Sequence, residues 1–290
     1  MKHLVLTLAV VCLAAATSQA ALLVEESFDY TIGDSLVGQS GGTGFSGAWL
    51  NANNSNRSFP SANPDPSDRP NTAGPDIVDG LSYGPLVVSG GAAYFELGQT
   101  GVGWSPTKEG EAHKNDSAKR SFASSIDTDN TVWTSMLIGL DDVADPSFGN
   151  WAGAKFTNNY WFGRNAGQSN WGMEKPKTET SIGIGKGDTF LLVMALSPDG
   201  AGNYDKHLWV NPAFATLGGP DLDFGTADLS NSQTAASFSQ ILGDFAAAGT
   251  WDEFRVGDTY ADVTPVPEPG VMMLLATGLT AVYGLRRRRA

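Results

Sequence analysis

Between its two ends this chain is punctuated so densely by glycine and proline, 35 and 15 times in 290 residues, that little room is left for helices of ordinary length. Each glycine loosens a helix, and each proline removes a backbone donor from it. What survives between the breakers is a series of short runs with strand character: 22–30, 81–88, 92–97, 131–140, 154–156, 160–163, 190–197, 206–210 and 253–256. In the last run Phe254 and Val256 alternate with Glu253 and Arg255, the period-two pattern of a half-buried strand. The run 190–196 (FLLVMAL) is continuously apolar and bounded by Gly187-Asp188 and Ser197-Pro198-Asp199-Gly200. It reads as a central strand buried on both faces. Only 230–245 has helical spacing. Many short strands and almost no helix predict an all-β fold, an antiparallel two-sheet sandwich.

The ends follow other rules. Lys2 and His3 precede thirteen residues, 4–16, in which only Thr7 is polar. That is shorter than the roughly 20 apolar residues that span a bilayer. Ser18-Gln19-Ala20 then supplies the small residues read by a signal peptidase, so residues 1–20 read as a signal peptide cut between Ala20 and Ala21. The chain's one cysteine, Cys12, goes with it, and the mature protein must fold by burial without disulfides. About 245 residues remain for one sizeable core. Setting aside Lys2, Glu268 and the four terminal arginines takes the formal charge from −13 to −17, which argues against nucleic acid as a partner.

At the other end Val266-Pro267-Glu268-Pro269-Gly270 is followed by fifteen mostly apolar residues, 271–285, and by Arg286, Arg287, Arg288 and Arg289. As a helix the apolar run is about 22 Å long, short of a ~30 Å hydrocarbon core, and it inserts as a single transmembrane helix if the arginine stems snorkel. The arginines hold the chain end in the cytoplasm, so the body lies outside. The prolines stop the helix from extending backwards and leave an extended segment open to a protease. Tripeptide, apolar helix and arginine cluster closely resemble the PEP-CTERM sorting signal of Gram-negative bacteria that make extracellular polysaccharide. That resemblance covers 266–290 and implies processing by an exosortase-type enzyme after transient anchoring in the inner membrane.

The body has a resemblance of its own. Phe28-Asp29-Tyr30 with the segment 41–49 (GGTGFSGAW), Leu81-Ser82-Tyr83 leading to Ser89-Gly90-Gly91, 208–212 (LWVNP), and the closing 251–257 (WDEFRVG) with 261–265 (ADVTP) are similar to concanavalin A-like, laminin-G-like domains. The resemblance implies a jelly-roll sandwich whose first and last strands are neighbours, forming a single domain over 21–265. The segment 51–80, rich in Asn, Ser, Pro and Asp, reads as a long surface loop insertion.

Signals for chemistry fail on context. Residues 42–47 (GTGFSG) fit the letters of a dinucleotide fingerprint, but no buried strand enters the segment and no helix leaves it, so a glycine-rich turn accounts for it. Residues 183–187 lack the Ser or Thr of a phosphate loop, and His113 and His207 belong to no zinc pattern. Glycosidase chemistry needs two carboxylates about 5–5.5 Å apart. The nearest strand pair, Asp252-Glu253, is expected on opposite faces. The expectation is therefore a protein that is not an enzyme and needs no cofactor. Sandwiches of the resembled class often hold calcium through Asp and Asn, yet 127–130 and Asp141-Asp142 read equally as solvated turns, and no metal is assigned.

What remains is a surface or matrix role with extracellular polysaccharide as the partner. Tyr160, Trp161 and Trp171, near Asn158, Asn159 and Asn170, form the densest cluster of aromatics and amides and are the candidate ligand-binding residues. Against them stands the rule that large aromatics in a disulfide-free sandwich are mostly core. A carbohydrate-active enzyme with an unrecognised site and a purely structural surface protein are the alternatives.

Overall fold

The computed structural model describes residues 21–52, 75–86, 88–95, 116–126, 130–141, 151–156, 160–165, 168–173, 178–198, 203–212, 229–234, 238–245 and 248–265. The signal segment 1–20, most of the expected insertion and the tail 266–290 lie outside the described residues. Fifteen strands are described: β1 (Leu22–Glu26), β2 (Phe45–Asn51), β3 (Asp76–Asp79), β4 (Gly91–Phe95), β5 (Asp116–Ile126), β6 (Val132–Leu140), β7 (Ala152–Phe156), β8 (Tyr160–Arg164), β9 (Asn170–Met173), β10 (Thr178–Gly183), β11 (Thr189–Pro198), β12 (Asn203–Val210), β13 (Leu229–Thr234), β14 (Phe238–Phe245) and β15 (Gly249–Gly257). A single turn of helix, α1 (Tyr260–Val263), closes them.

All pairings are antiparallel. Sheet A runs β13-β12-β11-β6-β15-β4-β3, with β1 also paired to β15, and sheet B runs β10-β9-β8-β7-β14-β5-β2. The fold is an all-β two-sheet sandwich of the jelly-roll type. Its first and last strands are neighbours, Val24 pairing with Val256 and Glu26 with Phe254.

The inner faces interlock through aromatic rings. Phe95 of sheet A stacks on Phe245 of sheet B with centroids 4.0 Å apart. Trp251 meets Trp49 edge to face at 5.8 Å, and it lies so close over Gly243 that a Cβ there would stand 2.3 Å from its Cζ3. A second apolar cluster lies on the outward face of sheet A. There the β3–β4 loop brings Leu81, Tyr83, Leu86 and Val88, and α1 brings Tyr260 and Val263, over Leu137, Leu191 and Val193. This cover is why β11 is buried from Phe190 to Leu196 on both faces.

Three expectations need correction. The described residues of 230–245 are not helical but belong to β13 and β14, the latter paired with β5 and β7. Within 51–80, residues 76–79 form β3, because Ile77 reaches the core while the segment pairs with β4. Within 81–88 the described residues make no strand and instead form the covering loop just described.

One buried polar hub ties the sheets together. Glu26 accepts from Phe28 N–H at 3.0 Å and, on its Oε2, from Tyr30 Oη, Trp49 Nε1 and Arg120 Nη1 at 2.9 Å each. Arg120 also donates to Gly41 O at 2.7 Å and Gly47 O at 2.9 Å, and its guanidinium lies 4.5 Å from the Phe45 ring centroid. Burial first, and then the Glu26 charge, hold the Tyr30 hydroxyl well above its ordinary pKa. The glycine-rich stretch is thus the turn that wraps this ion pair. At Gly44, with φ +76°, any Cβ would stand 2.1 Å from Leu23 O.

Candidate functional site

Asp252 and Glu253, the nearest approach to a glycosidase pair on a strand, were expected to point apart, yet the structure brings them to one loop. The β15 register slips between Asp252 and Arg255, and Glu253 takes a positive φ of 49°. This bulge overrides strand alternation. Asp252 Oδ2 accepts from Leu81 N–H at 2.7 Å and its Oδ1 from Glu253 N–H, while Glu253 Oε1 accepts from Ser89 N–H. Two consecutive residues therefore hold both ends of the β3–β4 loop. Arg255 completes the group, paired with Glu253 and, at 3.1 Å, with Glu25. Burial pushes Asp252 up to about 8 and Glu253 up as well. Both carboxylates are fully buried and occupied by backbone amides, so the arrangement anchors a loop and does not present an acid–base pair to a substrate. It also explains why β15 is buried along its whole length where a half-buried strand was expected.

The aromatic cluster read from the sequence is divided by the sandwich. Trp171 points inward and packs in the core, 5.1 Å from Phe190. Trp161, on β8 between the core residue Phe162 and Tyr160, belongs to the outward face of sheet B and is nevertheless only 4 % exposed. Tyr160 pairs in register with Phe156. The three candidates therefore do not form one surface.

A different aromatic surface is assembled on the outward face of sheet A. Trp133 of β6 and His207 of β12 both lie opposite Ala195 of the intervening β11, and Trp209 lies opposite Val193. The small Ala195 leaves space above β11 for the indoles to meet. Trp133 and Trp209 stack with centroids 5.5 Å apart and planes 27° from parallel. His207 lies 5.7 Å from Trp209, and Tyr260 of α1 closes the inner side at 5.7 Å from Trp133. Trp133, His207 and Trp209 are all half-buried. One register step along, Ser197 faces Asp205, and Thr131 Oγ1 donates to Ser197 Oγ at 3.3 Å. The result is a shelf of rings running into a rim of hydroxyls and a carboxylate. Strand alternation in the segment 206–210 already puts His207 and Trp209 on one face. Nothing in the sequence joins them to Trp133.

Among the described residues no group of three or more His, Cys, Asp or Glu side chains could hold a metal ion.

The model of the PEP-CTERM protein-sorting motif matches residues 265–289, and the tail carries that motif. The chain is accordingly an exported protein, anchored and sorted at its C-terminus and processed by an exosortase-type enzyme. No curated protein matches the chain. Among solved structures, the endo-β-1,4-glucuronan lyase from the fungus Trichoderma reesei is 12 % identical, covering 66 % of this chain and 89 % of that one at a TM-score of 0.42. The endo-1,3-β-glucanase from Streptomyces sioyaensis is 9 % identical, covering 84 % and 98 % at a TM-score of 0.43. The carbohydrate recognition domain of Emp46p is 6 % identical, covering 60 % and 85 % at a TM-score of 0.33. At these values the likenesses add nothing to the architecture already drawn from the strands.

Proposed function

We propose that this chain is a non-catalytic, carbohydrate-binding protein of the Gram-negative cell surface or extracellular matrix, holding polysaccharide on the outward face of sheet A. The observation that supports it is the stacked, half-buried Trp133–Trp209 pair with His207 beside it and the polar rim of Thr131, Ser197 and Asp205. Flat apolar rings suit the apolar faces of sugars, and hydroxyls and a carboxylate suit their edges. The buried state of Asp252 and Glu253 favours binding over hydrolysis.

Trp209→Ala in the full-length chain is expected to lower affinity for neutral oligosaccharides by about 1–3 kcal/mol, the size of a planar ligand stacked on an aromatic ring. Stability should change far less, because the ring is only half-buried. Titration of parent and variant with a panel of neutral oligosaccharides checks this. If no glycan binds the parent, a structural surface role replaces the proposal, and release of reducing ends from a polysaccharide would replace it with an enzyme.

The same reading places the mature N-terminus at Ala21 after signal peptidase cleavage, leaves one domain over 21–265, and puts processing near Pro267, Glu268, Pro269 and Gly270. Mass spectrometry of protein from the native host is expected to find both ends. Surface-exposed protein that retained Arg286, Arg287, Arg288 and Arg289 throughout would mean a plain membrane anchor.

A further inference from the structure

The two sheets differ in charge. Among the described strands, those of sheet A hold seven acidic residues and two basic ones, Lys206 and Arg255, whereas those of sheet B hold three and four. Neither basic residue of sheet A reaches its outward surface. Lys206 shares the inward parity of the core residue Leu208 and is 1 % exposed, and Arg255 is 2 % exposed and paired with Glu25 and Glu253. The face that carries the stacked indoles therefore presents carboxylates, with no exposed ammonium or guanidinium group from its own described strands.

Two of those carboxylates bracket the rings. Asp205 is half-buried and stands one alternate step, about 6.5 Å, from His207 along β12. On the other side Trp133 pairs with Gly257, and the exposed Asp258 follows it directly. Because β12, β11, β6 and β15 are consecutive in the sheet, the two acids lie three strand spacings apart, about 14 Å, with Trp133 between them. A ligand that crosses the strands there meets a carboxylate, a ring and a second carboxylate. Rings alone accept the apolar face of any sugar, and the acids select by charge. The formal charge of −17 outside the two end signals adds a field of the same sign, which draws cations and repels polyanions.

We propose that the shelf selects a cationic amino-sugar polymer, a glycan with free amines. Its sugar faces stack on Trp133 and Trp209, and its ammonium groups pair with Asp205 and Asp258. Such pairs are charge-assisted, and an ammonium lying over an indole face is attracted as well. The inference rests on the reading of this face as glycan-binding and adds to it the charge of the ligand.

The test titrates the full-length chain with glucosamine oligomers and with their N-acetylated counterparts, at mildly acidic pH where the free amines are protonated. The amine form is expected to bind at least tenfold more tightly at low salt, and its advantage to shrink as salt rises. Asp205→Asn and Asp258→Asn are each expected to narrow that preference about threefold, and together to remove most of it. Asp258→Asn changes an exposed side chain, so it decides alone should Asp205→Asn fail to fold. Equal binding of the two forms, or an undiminished preference in Asp258→Asn, overturns the proposal and leaves the glycan-binding reading standing. Binding of neither form overturns both. Oligolysine that competes as strongly as the glucosamine oligomers means a surface that reads charge alone, and it too overturns the proposal. Weak oligolysine competition, with both sugar forms weakened in Trp209→Ala, supports it.

Discussion

Glu26→Ala is expected to cost this fold about 3–5 kcal/mol, the range found when one partner of a buried ion pair is removed. The carboxylate receives four donors from three separate parts of the chain. Without it, the Arg120 guanidinium is left in the interior with only the Gly41 and Gly47 carbonyls, and the Trp49 N–H and Tyr30 hydroxyl lose their acceptor. A domain of ordinary stability holds roughly 5–15 kcal/mol in all, so the variant should lose a large share of it. Glu26→Gln keeps an acceptor and loses the charge, and should fall between. The double change Glu26→Gln with Arg120→Met removes both charges and should recover part of the loss, because the penalty comes chiefly from the orphaned cation. Urea denaturation of the four proteins measures it. A single-variant cost below about 1 kcal/mol would mean that the ion pair does not join the sheets.

The hub shows where sequence reasoning stops. Residues 42–47 could be recognised as a turn by their glycines, but the reason for the turn lies in Glu26 and Arg120, 94 positions apart. β11 was legible because an apolar run of seven residues between turn signals has few other uses. β14 was not, for a specific reason: Phe238, Ile241, Leu242 and Phe245 recur at helical spacing, while Ile241, Gly243 and Phe245 also alternate. Tertiary packing decides between the two periods, since Trp251 presses on Gly243 and β5 and β7 take the hydrogen bonds on either edge. The aromatic candidates follow the same logic. Trp161 and Trp171 are close in sequence but have opposite parity relative to the core, whereas Trp133 and Trp209 are brought together only by β11. The sorting tail needed no tertiary information. Its signal is written in consecutive residues, and the sorting-motif match covers 265–289.

The stability of the protein is expected to fall as pH rises from about 4 to about 8, the reverse of what ion-paired carboxylates usually produce. Asp252 is fully buried at the β15 bulge, and desolvation pushes its pKa from 3.8 up to about 8, against the Leu81 and Glu253 amides that favour the charge. Glu253 is raised as well, again chiefly by burial. Between the unfolded value and the folded one, the native state keeps a proton that the unfolded chain has released. Stability then declines by about 1.4 kcal/mol per pH unit for one such group, is complete below pH 4 and levels off above 8. The summed loss is several kcal/mol, and it falls on the β3–β4 loop, whose two ends these side chains hold. Asp252→Asn carries no charge and keeps one acceptor for the Leu81 amide. Its stability should depend much less on pH, near the parent's at pH 4 and above it at pH 8. Thermal melts of both proteins across that interval, with limited proteolysis within residues 81–89 as a local readout, check the sign and the place. A parent that grew more stable from pH 4 to 8 would show that the two amides outweigh burial and that Asp252 is ionised in the native fold throughout.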